Sequence, residues 1–474
     1  MSLQRRGAGQ RPRRRLHATF AVVAVLVLLL QAVPDDRVRP ASAADNQGRG
    51  GIAMGGAWTW LPPEVQAADL DKIAAAGAAW IRVSFRWSAM QPQADRYNWS
   101  VHDRIVRLAY ERDLKVIANV AYTPPWARSP DCDHPHCPPA SPASYARFVE
   151  AAVTRYAAYN VRAWEIWNEP NLGNFWRPAP DPQAYTALLR RAYAAAKRAD
   201  PTVTVISGGL GPRGLDSEGN LTPTTFLSRM YAAGGGPYLD AVGIHPYSFP
   251  RAPLDPSPTN TFSQLPDLHA LMGAAGDADK QLWITEYGYW TSPLGDTHWL
   301  GSVTEAEQAR YLTEAYDAAA QPWLGPLLWF TFRDTGEGED ADFQRDRNFG
   351  LIREDGQPKP AFEAFSSAQG ASDPECAQAC VTTAISVRRT KTAEQLRTRT
   401  LLQGAPEGSL VRVSVHRLKA TGWHRVRLRK GAVDADGLYR TAFSRPAPGT
   451  CLVKAVFSGT ATHQRSIARD RLRC

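Results

Sequence analysis

Eight short apolar runs, each followed by a longer helical stretch, set the order of this chain. The runs are Gly51–Gly56, Trp80–Phe85, Leu114–Ala121, Val161–Trp167, Val203–Ser207, Ala241–Ile244, Gln281–Thr285 and Pro326–Phe330. The helical stretches lie near 65–76, 101–112, 142–158, 182–198, 223–233, 263–273, 304–319 and 359–367. Strands that alternate with helices are joined by crossovers, which lay them parallel in one sheet. The expected fold is therefore α/β, a closed (β/α)8 TIM barrel over residues 45–367. A doubly wound sheet is expected to carry a Gly-rich phosphate loop after its first strand. Here "GIAMGGAWTW" lacks that spacing and runs on into Trp and Pro.

The pattern changes after Ser367. Residues 368–376 are small, polar and Pro-containing, as in a linker. Residues 377–474 then alternate with period two, as in "SLVRVSVHRL" and "CLVKAVFSG", with Gly and Asp turns between. This predicts a small C-terminal all-β sandwich-like domain. Charge divides in the same way. Residues 45–370 hold 28 basic and 37 acidic residues, whereas residues 371–474 hold 19 basic and seven acidic. An acidic body excludes nucleic acid as the expected substrate. The basic domain suits contact with a cell wall or other anionic polymer, or is simply a solvated face.

The N-terminus reads as an export signal over residues 1–44. Arg-rich residues 5–15 precede an apolar run from Ala18 to Val33, followed by "RPASAAD". Cleavage is expected after Ala43 or Ala44, and the alternative is an uncleaved anchor. Either way the protein is expected outside the cell, secreted or held at its surface. The six cysteines (Cys132, Cys137, Cys376, Cys380, Cys451 and Cys474) all follow this segment. An even number in an exported chain predicts disulfides. Cys132–Cys137, Cys376–Cys380 and Cys451–Cys474 are natural local pairs, but spacing alone does not choose among the possible sets. "CDHPHC" also offers two Cys and two His to zinc, at a spacing too cramped for a common structural site.

Two strand ends carry the chemistry. "RAWEIWNEPN" (162–171) ends an apolar strand in Asn168–Glu169–Pro170, and Pro170 is expected to hold Glu169 in extended backbone. "QLWITEYGY" (281–289) ends another in Glu286. In a barrel, the tips of the fourth and seventh strands face each other across the mouth where active sites lie. Two facing carboxylates are what glycosidic cleavage needs: one protonates the leaving oxygen while the other attacks or activates water. A Glu among Trp residues is placed to keep its proton. The 15 Trp of the chain also suit sugar rings, although Trp fills cores as well.

"WNEPN" and "ITEYGY" resemble the acid/base and nucleophile motifs of the clan A (β/α)8 glycoside hydrolases. Within that clan the chain is most similar to glycoside hydrolase family 39 and to bacterial relatives that hydrolyse biofilm polysaccharide, with family 5 a near neighbour. The resemblance covers residues 50–366. It implies a retaining β-glycosidase with Glu169 as acid/base and Glu286 as nucleophile, their carboxyl groups about 5 Å apart. It further implies that Asn168 binds the 2-hydroxyl of the cleaved sugar. Tyr247, from "GIHPY", would hydrogen-bond the nucleophile, and His245 would reach substrate or acid/base. Arg82 would keep the nucleophile ionised, and Trp329 would floor the sugar.

Asn119, Tyr122, Trp126 and Trp176 are further candidates for lining subsites, with Trp87 beside them. The acidic loop after the eighth strand lacks the regular spacing of a calcium loop, so neither metal nor cofactor is expected. The expected partner is a polysaccharide or oligosaccharide, met by a monomer. Modest loop lengths favour an open groove and internal cleavage. A transglycosylase of envelope polymer would share every one of these residues.

Overall fold

The computed structural model describes residues 50–292 except 160, then 301–335 and 347–370. In the C-terminal part it describes 384–391, 395–403, 406–419, 422–444, 446–448, 450–457 and 466–473. The expected export signal, the acidic loop at 336–346 and most of the linker lie outside the described residues.

Eight parallel strands close a barrel in sequence order. They are β1 (Gly50–Ala53), β2 (Trp80–Arg86), β3 (Lys115–Ala121), β4 (Val161–Asn168), β5 (Thr204–Gly209), β6 (Ala241–Ile244), β7 (Gln281–Tyr287) and β8 (Leu324–Phe330). Pairing of β1 with β8 completes the ring. One long helix follows each strand: α1 (Pro63–Ala75), α2 (Ser100–Glu111), α3 (Pro142–Tyr156), α4 (Pro182–Ala199), α5 (Pro223–Ala232), α6 (Leu265–Ala274), α7 (Glu305–Ala318) and α8 (Pro360–Ala368).

Local chemistry starts these helices. Asp181 caps α4 by accepting from the N–H groups of Gln183 and Ala184, with Pro182 as the first helical residue. Thr304 and Glu307 form a reciprocal capping box at α7.

Strand parity then builds two apolar layers. Trp80, Ile117, Ala163, Ile206, Ala241, Trp283 and Leu328 cluster inside the barrel. There the Trp80 and Trp283 rings, from strands on opposite sides, meet at 5.4 Å. Alternate residues, such as Val83, Trp164, Val205 and Leu327, pack outward in a larger cluster with helix side chains. A buried ion pair ties the chain's return to this shell: Lys359 Nζ lies 2.7 Å from Asp334 and donates to Thr291 Oγ1 at 2.9 Å. Replacing Lys359 by Met should destabilise the fold by about 3–5 kcal/mol, because Asp334 would remain buried without its cation. Thermal unfolding with and without a second Asp334→Asn change measures how much of that loss is the orphaned charge.

Beyond the barrel lie seven antiparallel strands. They are β9 (Ala384–Lys391), β10 (Gln395–Gln403), β11 (Leu410–Lys419), β12 (Gly422–Ala432), β13 (Leu438–Ser444), β14 (Thr450–Phe457) and β15 (Ser466–Arg473). They form a three-stranded sheet, β13-β10-β9, and a four-stranded sheet, β12-β11-β14-β15. Leu396 and Phe443 of the first pack with Val413, Val415, Val453 and Ala455 of the second. The four-stranded sheet also touches the barrel. The Tyr110 hydroxyl of α2 lies 3.3 Å from His416 Nδ1, and Lys454 pairs with Asp113 at 2.5 Å.

Cys132 and Cys137 form a disulfide, which removes both thiolates a zinc site there would use. Cys451 is disulfide-bonded too. Cys376, Cys380 and Cys474 lie outside the described residues, and with them the other two expected pairs. Among the described residues no helix is long and apolar enough to cross a membrane.

Candidate active site

Above the apolar floor of the barrel sits a polar layer centred on Glu165. Its carboxylate accepts from Arg82 Nε (2.5 Å), Asn119 Nδ2 (2.9 Å), Thr285 Oγ1 (2.6 Å) and the Gly209 N–H (3.1 Å). These four donors take up the acceptor positions of its two oxygens. Arg82 spreads its guanidinium over three acceptors: Glu165, Glu286 and Asn168 Oδ1, the last at 2.8 Å. Glu286 is also held by the Tyr247 hydroxyl, which donates to Oε2 at 2.9 Å.

The proton positions follow from this frame. The single proton of Thr285 goes to Glu165, so Thr285 must accept from His245 Nε2, 3.1 Å away. His245 Nδ1 is then left facing Glu169 Oε1 at 2.9 Å. One proton occupies that contact. Burial pushes the Glu169 carboxyl above its ordinary range, and the Glu286 charge adds to this against the contrary pull of His245 and Arg82. Burial alone would also raise Glu286. The charges of His245 and Arg82 and the hydrogen bonds from Tyr247 and Arg82 outweigh it, and the net direction is down. Two neighbouring carboxyl groups thus have their proton affinities driven apart. Oxygens of Glu169 and Glu286, with a nitrogen of His245, lie within 4.8 Å of one another.

Backbone geometry aims these groups. Glu169 has φ +44°, with Trp167 at +75° and Tyr122 at +73°. The extended backbone expected for Glu169 ahead of Pro170 is therefore not found. Hydrogen bonding overrides the proline preference: the Glu169 N–H donates to Gly209 O at 3.0 Å and its carbonyl accepts from Leu172 N at 3.0 Å. Such left-handed residues are costly and cluster at sites that need an exact aim. On β7 the means is a bulge. Ile284 pairs with Leu327 and then Tyr287 with Trp329, so β7 holds one residue more than β8. Thr285 and Glu286 can therefore both face the interior.

Gly209 is required at its position. A Cβ there would lie 2.1 Å from His245 Nε2 and 2.8 Å from Thr285 Oγ1. Gly209→Ala should push His245 off Glu169 and cut kcat/KM by ~100-fold or more. Circular dichroism that shows an intact fold would separate this from unfolding.

The structure brings together Glu169, Glu286, Asn168, His245, Tyr247 and Arg82, with Tyr122 beside them. Burial, followed by the Glu169 and Glu286 charges, raises the Tyr122 phenol's hold on its proton. Other candidates sit elsewhere. Trp329 is fully buried and packs outward with Tyr287 and Tyr289, leaving no ring face for a sugar. The β8 aromatic at the mouth is its neighbour Phe330, which packs with the inner cluster and lies edge-on to Tyr247. One residue along a strand changes face, and that parity decides between them.

Trp176 and Trp87 are likewise buried, Trp176 against Trp167 and Tyr185. Trp126 is half-buried and donates to Gln91 O at 2.9 Å. Asn119 spends both amide protons below the site, on Glu165 and on Trp167 O. It therefore supports the site from beneath and does not line it. Glu165, Thr285, Gly209 and Phe330 were not among the sequence candidates. Period two could have found Glu165 and Thr285, since each shares the inward parity of an interior strand residue, Ala163 and Trp283 respectively.

A family model described as Cellulase (glycosyl hydrolase family 5) matches residues 44–319. The chain belongs to this family. A β-xylosidase from Geobacillus stearothermophilus is 30% identical over 225 residues, which is 45% of this chain and 42% of that protein. The match thus spans less than half of the curated relative's length. A family 39 glycoside hydrolase from Bacteroides cellulosilyticus WH2 superposes with TM-score 0.55 at 21% identity, over 86% of this chain and 81% of that one. A GH5_18 enzyme from Streptomyces cattleya, solved in complex with Manb1-4GlcNAc, gives TM-score 0.52 at 18% identity, over 71% and 84%. At those identities the two structures speak for the fold. In this chain the strand-four and strand-seven glutamates lie across one barrel mouth.

Proposed function

We propose that this family 5 chain is a retaining β-glycoside hydrolase that acts on a poly- or oligosaccharide. The observation that carries the reading is the facing pair itself: Glu169 and Glu286 oxygens within 4.8 Å, one carboxyl pushed toward its protonated form and the other toward its ionised form. That separation suits direct attack, where an inverting enzyme leaves a wider gap of about 6.5–9.5 Å for water.

The first step breaks the bond between the anomeric carbon and the leaving oxygen. Glu286 forms a glycosyl ester while Glu169 gives its proton to the departing hydroxyl. Glu169, now ionised beside His245, takes a proton from water, which attacks the same carbon and frees Glu286. Asn168, whose carbonyl oxygen is occupied by Arg82, has its amide N–H groups left to donate to the 2-hydroxyl. The β-xylosidase relative, the Manb1-4GlcNAc complex and the Cellulase family model make aryl β-xyloside, β-mannoside and β-glucoside the first substrates to try. Proton NMR during the first minutes of turnover should show the β-anomer of the released sugar. Initial release of the α-anomer would overturn the double displacement.

The same proposal includes export through residues 1–44, supported by the basic and apolar order of that segment and by the Cys132–Cys137 bridge. N-terminal sequencing of protein from the culture medium should begin at Ala44 or Asp45.

A further inference from the structure

The three-stranded sheet of the C-terminal domain presents a face that costs stability by itself. In the β13-β10-β9 register, Arg440 stands opposite Arg399, and Arg399 opposite Arg388. Arg388, Arg399 and Arg440 thus occupy one register position across the three strands. Arg397 lies two residues along β10, and both it and Arg399 are exposed. From the other sheet, Arg427 donates to Ser444 Oγ on β13 at 3.3 Å and extends the patch. Strands β9, β10 and β13 contain no Asp or Glu. Arg440 pairs with Asp434 at 2.8 Å. Neither Arg397 nor Arg399 pairs with an acid among the described residues. Like charges set directly opposite in a sheet are destabilising, and a row of them asks for an external counter-charge.

Arg397, Arg399, Arg440, Ala442 and Ser444 of this face are exposed. His416 and Lys454 point from the four-stranded sheet to the barrel, at Tyr110 and Asp113. The three-stranded sheet lies across the sandwich core from them and faces outward. Tyr110, in the last turn of α2, and Asp113, just ahead of β3, lie at the rim opposite the strand ends that hold the glutamates. A polymer on the arginine face leaves the mouth free.

We propose that this face binds an anionic polysaccharide through its carboxylates and anchors the enzyme on a charged matrix. Arginine suits carboxylates through paired N–H donors. Neighbouring strands set the row at a spacing of about 4.8 Å. The exposed residues of β10 and β13 on this face, among them Arg397, Arg399, Arg440, Ala442 and Ser444, include no aromatic ring on which a base could stack. The binding role is independent of the glycosidase reading, and the test separates the two.

The full chain should be retarded in native gels containing polygalacturonate and not in gels containing a neutral β-glucan. The retardation should fade between about 50 and 300 mM salt. Arg397→Ser with Arg399→Ser should weaken polygalacturonate binding at least tenfold, while kcat/KM on an aryl glycoside stays unchanged. An Arg412→Ser control, off this face, should bind like the parent. Absence of retardation, or equal binding by the double variant, would overturn the proposal. Tighter binding to duplex DNA than to polygalacturonate would overturn the choice of partner.

Discussion

Glu286→Ala should lower kcat/KM by ~10⁵-fold or more with the barrel still folded. Glu286 is the group that forms the new bond to the anomeric carbon, and removing a nucleophile forfeits both steps of a double displacement. Little stability should be lost, because Arg82 keeps two other acceptors, Glu165 and Asn168. The cavity left by the carboxylate can admit a small anion. With added azide and an activated aryl β-glycoside, the variant should make the α-glycosyl azide by a single inversion. A variant that retained wild-type turnover, or gave only β-azide, would remove Glu286 from the nucleophile role.

Glu169→Ala should act differently on the two steps. With a poor leaving group, loss of general acid catalysis should cost ~10²–10⁴-fold in kcat/KM. With 2,4-dinitrophenolate, which leaves without a proton, the cost should be small and the glycosyl ester should accumulate. Azide should then yield the β-glycosyl azide. The pH profile carries the sign. Glu286 must be ionised, so the parent loses rate as pH falls through its lowered pKa. Glu169 must be protonated, so the parent loses rate as pH rises through its raised pKa. In Glu169→Ala the alkaline limb should vanish while the acid limb stays. An alkaline limb that survives would belong to another group.

Much of this was legible in one chain read alone, and the reason is local. The barrel strands announce themselves because each is a short apolar run between a turn and a helix. The observed β4 (Val161–Asn168) and β6 (Ala241–Ile244) lie within a residue of the expected ends. A single glutamate at a strand tip could cap a helix or pair with an arginine, but two at strand tips that face each other across a barrel mouth point to shared chemistry. Face assignments were less secure where the strand twists or bulges. The resemblance floors the sugar with Trp329, but strand parity sends that ring outward and Phe330 takes the inward place. Asn119 ends its strand where a subsite residue is expected, yet it lies one layer below, spent on Glu165 and Trp167 O.

The linear order of residues was enough for the fold class, the two carboxylates and the contrast between an acidic body and a basic tail, since periodicity, strand-end position and charge are properties of neighbours in the chain. The sequence expected Glu169 to hold a proton, and tertiary structure supplied the contacts that place it there. Thr285 and Glu165 are separated by 120 positions yet meet at 2.6 Å, and that contact turns His245 so that its Nδ1 meets Glu169. Which glutamate holds a proton depends on burial and on charges brought in from other strands, and such distances exist only once the barrel has closed.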